Sequence, residues 1–225
     1  PILFMLSPIK RRIMRNTGIL SFTNIVNTGL LFLLSIYIAR ALGVIDFGKF
    51  SLAIAFSMIV FRFSDLGIGI MLKREVARNP SVAEKYLNNG ISLRLISSAI
   101  AMMSVWVLVM VLGYPSDTAI AILLISFGTA ATEISNLFIS LFQGMEKMEY
   151  QAISTISASS AKFFLCTLAI ILGYGIIAVC SLFMLSSILQ MVISGVLTKK
   201  RFVRPGLLFD FDFWKKLIRE SYPCL

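Results

Sequence analysis

The sequence predicts an all-α integral membrane protein, built as a six-transmembrane-helix bundle. Three observations predict it. The 225 residues are 58% hydrophobic and only 14% charged, with a mean hydropathy of +0.89, far more apolar than a soluble domain of this length. The apolar residues gather in six stretches of about 20 residues or longer, each able to cross a ~30 Å hydrocarbon core at ~1.5 Å per residue. Lys and Arg crowd into alternate connections, as the orientation rule for helical membrane proteins demands. The short alternating segments of a transmembrane β-barrel are absent from the pattern.

The elements follow in order. Lys10, Arg11, Arg12 and Arg15 form a basic lead-in within residues 1–16. The chain opens on Pro1, so Met5 or Met14 is the expected natural start. No small-residue cleavage site follows a short apolar core, so no signal peptide is expected. The first span, Thr17–Leu42, gathers Thr17, Ser21, Asn24, Thr28 and Ser35 in a narrow arc of the helical wheel. Such a stripe serves either interhelical hydrogen bonding or cavity lining. A short loop, Gly43–Asp46, turns into the second span, Phe47–Leu72. There Gly48, Ser51, Ala55 and Gly69 share a face with Arg62 and Asp65, whose i,i+3 spacing lets the two charges meet. Gly67 and Gly69 read as packing residues inside this span.

The polar connection Lys73–Asn89 contains Ser81-Val82-Ala83-Glu84, the pattern of a capping box, leading through a short amphipathic helix into the third span, Gly90–Leu112. Gly113–Asp117 is a tight turn. The fourth span, Thr118–Phe142, sets Glu133 on one face with Ser126, Thr129, Asn136 and Ser140. A short charged loop, Gly144–Glu149, precedes the fifth span, Tyr150–Leu172, which sets Lys162 on one face with Gln151, Thr155, Ser159 and Cys166. The sixth span, Ile176–Leu197, is mostly apolar, with Ser187, Gln190 and Ser194 near one side. Beyond it, Phe213, Trp214, Leu217 and Ile218 share a helical face opposite Lys215, Lys216 and Arg219, with Asp212 placed to cap the start. This reads as an interfacial helix with Trp214 at headgroup level. Ser221–Leu225 reads as the first turn of a seventh span.

Charge and composition exclude several function classes. The net charge of +10 sits in the N-terminus, the loop after the second span, and the seven Lys and Arg after the sixth. Only Arg40 and Lys49 flank the opposite side, so both ends and the long loops are expected in the cytoplasm, at a plasma membrane. The cations therefore serve topology and the headgroups of membrane lipids, and no nucleic acid is expected as a partner. The absence of histidine removes His-based metal sites and Ser-His triads, and no metal or cofactor is expected. Cys166, Cys180 and Cys224 lack metal-ligand spacing and read as packing residues.

Four ionisable groups on three predicted helices then fall at comparable depth: Arg62 and Asp65, Glu133, and Lys162. Charges deep in a bilayer are costly and face a bundle interior or a water-filled cavity. Neutralised packing pairs remain the alternative, but converging polar stripes favour a solvated central cavity. Fixed cations there suit an anionic substrate, since phosphate accepts a bidentate fork from Arg and a point charge from Lys. Arg62 and Lys162, with Asn24 and Thr28 from the first stripe, are the substrate-binding candidates; Asp65 and Glu133 are candidates for charge balance or ion coupling. No phosphate-binding glycine loop is present, so an ion gradient, the membrane potential or the substrate gradient would drive transport.

Three stretches carry a resemblance. Ala39–Ala53, ARALGVIDFGKFSLA, resembles the first-to-second-span signature of polysaccharide-repeat-unit flippases, the Wzx type of lipid-linked oligosaccharide flippase. Asp65–Arg78, DLGIGIMLKREVAR, and Leu141–Tyr150, LFQGMEKMEY, are similar to the same family at the ends of spans two and four. The family belongs to the multidrug/oligosaccharidyl-lipid/polysaccharide exporter superfamily. Its members have twelve to fourteen spans in two similar six-helix lobes around a cationic cavity, so the resemblance implies one lobe of a two-lobe transporter. The chain then divides into residues 1–16, a basic cytoplasmic N-terminus; 17–197, the six-helix lobe; and 198–225, an amphipathic cytoplasmic linker with the start of a truncated seventh span. The implied substrate is a polyprenyl-diphosphate-linked glycan, moved to the outer leaflet by rocking of the lobes for polysaccharide biosynthesis. Implied partners are the missing C-terminal lobe or a second copy, and a polysaccharide polymerase or glycosyltransferases.

Three other readings compete. A multidrug–cation antiporter of the same superfamily needs acidic rather than basic cavity groups. A membrane enzyme acting on polyprenyl phosphates needs a catalytic cluster at a membrane face, and the short external loops offer none, so the chain is not expected to be an enzyme. A non-transporting membrane scaffold is the third.

Overall fold

A computed structural model describes residues 2–64, 67–211 and 213–215. They form α1 (Ile2–Ser64), α2 (Ile68–Arg78), a 3-10 turn (Pro80–Val82), α3 (Ala83–Leu112), α4 (Ser116–Gly144), α5 (Met148–Ile171) and α6 (Ile176–Arg201). Five of these helices are long and apolar enough to cross a membrane, and α1 does so twice. Its apolar part, Met14–Arg62, has 49 residues and would measure ~74 Å if straight, far beyond a ~30 Å hydrocarbon core. The chain folds back at Gly43, whose φ of 82° and ψ of 175° interrupt the helix. Asn16, before the bend, donates to the Glu146 carbonyl beyond the C-terminal end of α4, whereas Lys49, after it, lies 3.9 Å from Asp117 at the start of α4. The two arms of α1 are thus antiparallel, and the all-α six-span bundle expected from the sequence is present.

Two apolar clusters hold the bundle. One, toward the Gly43 end, includes Leu34, Ile38, Phe50, Ala53, Val105, Ile122, Ile125, Cys166 and Val179. The other, toward the opposite end, joins Ile68, Leu72, Val76, Leu87, Leu137, Leu141 and Phe142. Polar and small residues bring the helices close. Ser57 and Ser126 share a hydrogen bond of 2.7 Å between α1 and α4, and Ser135 and Ser194 one of 2.9 Å between α4 and α6. A Cβ on Gly128 would come within 3.0 Å of the Met184 backbone, so α4 and α6 are packed at glycine distance. Trp106, Val111, Phe164, Leu168, Leu185 and Val192 are exposed, an apolar exterior suited to lipid.

Several expected boundaries are corrected. The second span does not run unbroken to Leu72: α1 ends at Ser64, and α2 starts after Gly67, which holds a left-handed φ of 67°. Gly67 is therefore a helix-start residue rather than a packing residue. Gly69 does mark a close approach, since a Cβ there would sit 2.8 Å from the Ser140 hydroxyl. The capping box at Ser81 does not form. The Asn79 side chain accepts from the Ser81 backbone N–H and hydroxyl, and α3 begins at Ala83 without a side-chain cap.

Trp214 packs against protein rather than standing free on a surface helix. It is 7% exposed, and its indole N–H donates to Asn89 Oδ1 at 3.1 Å. The segment before it runs as an extended strap across α3: the backbone N–H groups of Gly206, Leu208 and Asp210 donate to Asn88 Oδ1, Ser92 Oγ and Asn89 Oδ1. Asp210 accepts from the Phe213 N–H, in the capping role expected of Asp212. Asp212 and Ser221–Leu225 lie outside the described residues.

Candidate functional site

Two cavities meet at Lys162. The first, about 370 Å³, is mainly apolar and lies toward the Gly43 end. Leu31, Leu34, Phe50, Ile54, Met58, Ile125 and Phe183 form its wall, with Ser35, Thr129, Thr132 and Glu133 as its other polar groups. The second, about 430 Å³, continues toward the opposite end and is mainly polar, lined by Asn27, Asn136, Gln143, Gln151, Thr155, Ser159 and Gln190. Leu31, Thr132 and Lys162 border both. The stripe read on the fifth span is what faces the second cavity, because Gln151, Thr155, Ser159 and Lys162 recur at helical spacing along α5.

The Lys162 ammonium lies 3.6 Å from the centroid of the Phe183 ring. An aromatic face attracts a cation without neutralising it, so the charge remains available to an anion in the cavity. Glu133 is placed differently. Its carboxylate lies 3.3 Å from the Arg94 guanidinium of α3. The Arg94 side chain is 3% exposed and that of Glu133 22%, so the pair sits in the wall, with the carboxylate nearer the cavity. It falls between the two apolar clusters, where a lone charge would be uncompensated.

The other candidates take different positions. Arg62 is exposed, one turn beyond Met58 on the second arm of α1 and outside both cavities. Asn24 and Thr28 are exposed on the first arm, also outside both. The cavity-lining residues of that arm are Asn27, Leu31 and Ser35, with Asn27 about 60° around the helix from Asn24 and about 100° from Thr28. Asp65 lies outside the described residues. The structure thus brings Lys162 and Glu133 to one cavity and leaves Arg62, Asn24 and Thr28 apart from it.

The family model described as Polysaccharide biosynthesis protein matches residues 13–225. The chain belongs to the polysaccharide biosynthesis protein family. No curated protein and no solved structure matches it. In this polysaccharide biosynthesis protein, sequence reasoning missed two residues of the site. Arg94 lies just inside the third apolar stretch, a position that calls for a buried partner. Asn27 falls outside the polar stripe of the first span; it accepts a short hydrogen bond from the Ser159 hydroxyl and ties α1 to α5.

Proposed function

We propose that this chain forms a substrate-binding lobe of an exporter that moves a polyprenyl-diphosphate-linked oligosaccharide across the plasma membrane by alternating access. It is a transporter rather than an enzyme, and both its ends face the cytoplasm. Family membership supports the link to polysaccharide synthesis. The observation that carries the reading is Lys162, a cation at the junction of two cavities whose partner is a ring face rather than a carboxylate. A diphosphate passing through would meet that charge. Glu133 serves charge balance, holding Arg94, rather than ion coupling. That pairing counts against a cation antiporter, which needs a carboxylate free in the cavity.

The test is export in cells that depend on this protein, with membrane abundance measured alongside. Lys162→Gln is expected to reduce surface polysaccharide to about a tenth or less at normal abundance, and Lys162→Arg to retain most of it. Full export by Lys162→Gln would refute the assignment.

A further inference from the structure

The second cavity offers more hydrogen-bonding capacity than the fold consumes. Gln143 donates to Gln151 at 2.9 Å and accepts from Lys73 at 3.1 Å, and Ser159 is committed to Asn27. Asn136, Thr155 and Gln190 differ. Their side chains come from α4, α5 and α6, border the cavity, and make no hydrogen bond to protein among the described residues. Together they present two amides and a hydroxyl, groups that both donate and accept.

We infer that the second cavity is a subsite for neutral, hydroxyl-rich sugar residues, adjoining the phosphate position at Lys162. The inference rests on the transport reading above and deepens it. Ring hydroxyls donate and accept together, which matches an amide lining better than a carboxylate, a phosphate or an ammonium would. No carboxylate borders this cavity among the described residues, and its one cation stands at the boundary with the apolar cavity. A glycan joined through a diphosphate has the same order of groups: hydroxyls, then charge, then hydrocarbon. In the first cavity Ser35, Thr129 and Thr132 donate to carbonyls of their own helices, Glu133 is paired with Arg94 and the rest of the wall is mainly apolar, so the sugar belongs on the Asn136 side of Lys162. A volume of about 430 Å³ lies within the ordinary range of small-ligand sites.

The test compares two probes on the full chain in lipid nanodiscs by titration calorimetry: geranyl diphosphate, and the same lipid carrying a neutral disaccharide. The disaccharide probe is expected to bind about tenfold more tightly, equivalent to ~1.4 kcal/mol. Asn136→Ala with Gln190→Ala should bring that ratio to about one and leave geranyl diphosphate binding unchanged. Lys162→Gln should weaken both probes and preserve the ratio. A ratio near one in the unaltered protein, or a ratio retained in the double variant, would overturn the sugar subsite. So would parallel loss of both probes in a folded double variant. If Lys162→Gln changes neither affinity while the double variant still abolishes the ratio, the phosphate assignment fails and the sugar subsite stands. Should the double variant not fold, Asn136→Ala alone, at an exposed position, is expected to reduce the ratio to about three, and an unchanged ratio there counts equally against the subsite.

Discussion

Glu133 shows why an ionisable residue inside a span cannot be assigned from its own helix alone. Its partner is Arg94, 39 positions away on α3, at 3.3 Å. Breaking a buried pair from one side leaves the other charge uncompensated, at a cost of roughly 3–5 kcal/mol, whereas replacing both with apolar residues of similar volume is often near neutral. Partial exposure of the carboxylate places the expected loss near the lower bound. Arg94→Ala should therefore destabilise the protein by about 3 kcal/mol, and Arg94→Met combined with Glu133→Leu should return stability to within about 1 kcal/mol of the parent. Thermal unfolding of the purified variants in one detergent checks this. Strictly additive losses would show that the two side chains are not coupled.

At the scale of elements, two features govern the shape. Gly43 bends α1 with a backbone conformation that is essentially glycine-only, and a Cβ there would meet no atom within 4 Å. The bend thus depends on backbone freedom rather than on space. The second feature is the strap that follows α6. Asn89 Oδ1 alone accepts from both the Trp214 indole and the Asp210 N–H, and Tyr86 packs edge-on against Phe213 at 4.8 Å. Neutral hydrogen bonds contribute about 0.5–1.5 kcal/mol each, so Asn89→Ala should loosen the strap without unfolding the bundle. With Trp106 replaced by Phe, Trp214 is the one remaining tryptophan reporter, since the chain has two. Asn89→Ala is expected to shift its emission to the red and expose it to iodide quenching. Unchanged emission and quenching would mean that the strap is held by other contacts.

At the scale of the molecule, the bends and turns sort into two sets. Gly43, Gly113 and Gly173 lie at one end, all with positive φ, while Asn79 and the Glu146 turn lie at the other. The excess of Lys and Arg belongs to the second set, and on that asymmetry we propose that this end faces the cytoplasm. Single cysteines at Pro115 and Tyr174 are expected to react with an impermeant maleimide from outside intact cells. A cysteine at Ser81 is expected to react only after permeabilisation. Labelling of Ser81 from outside would reverse the orientation and, with it, the direction from which substrate enters the amide-lined cavity.

The sequence by itself determined the fold class, because burying some twenty apolar residues in lipid leaves the backbone no alternative to a helix once strand alternation is absent. It also determined the polar faces of α4 and α5, since helical spacing alone aligns Thr129, Glu133 and Asn136, and Gln151, Thr155 and Lys162. Helical rotation limited the reading on α1: the stripe that holds Asn24, Thr28 and Ser35 includes the cavity-lining Ser35 but leaves out Asn27, about 60° around the helix from Asn24. Tertiary structure alone decided which polar residues are spent on packing and which remain open to a ligand. Ser126 reads like Asn136 on the same stripe, yet Ser126 is buried against Ser57 while Asn136 borders the cavity. It likewise decided that Glu133 belongs to Arg94 and that Trp214 is sealed against α3. The physical reason is common to these cases. Periodicity fixes the direction of a side chain about its own axis, whereas what it meets depends on the approach and rotation of another helix, set by packing across the whole bundle.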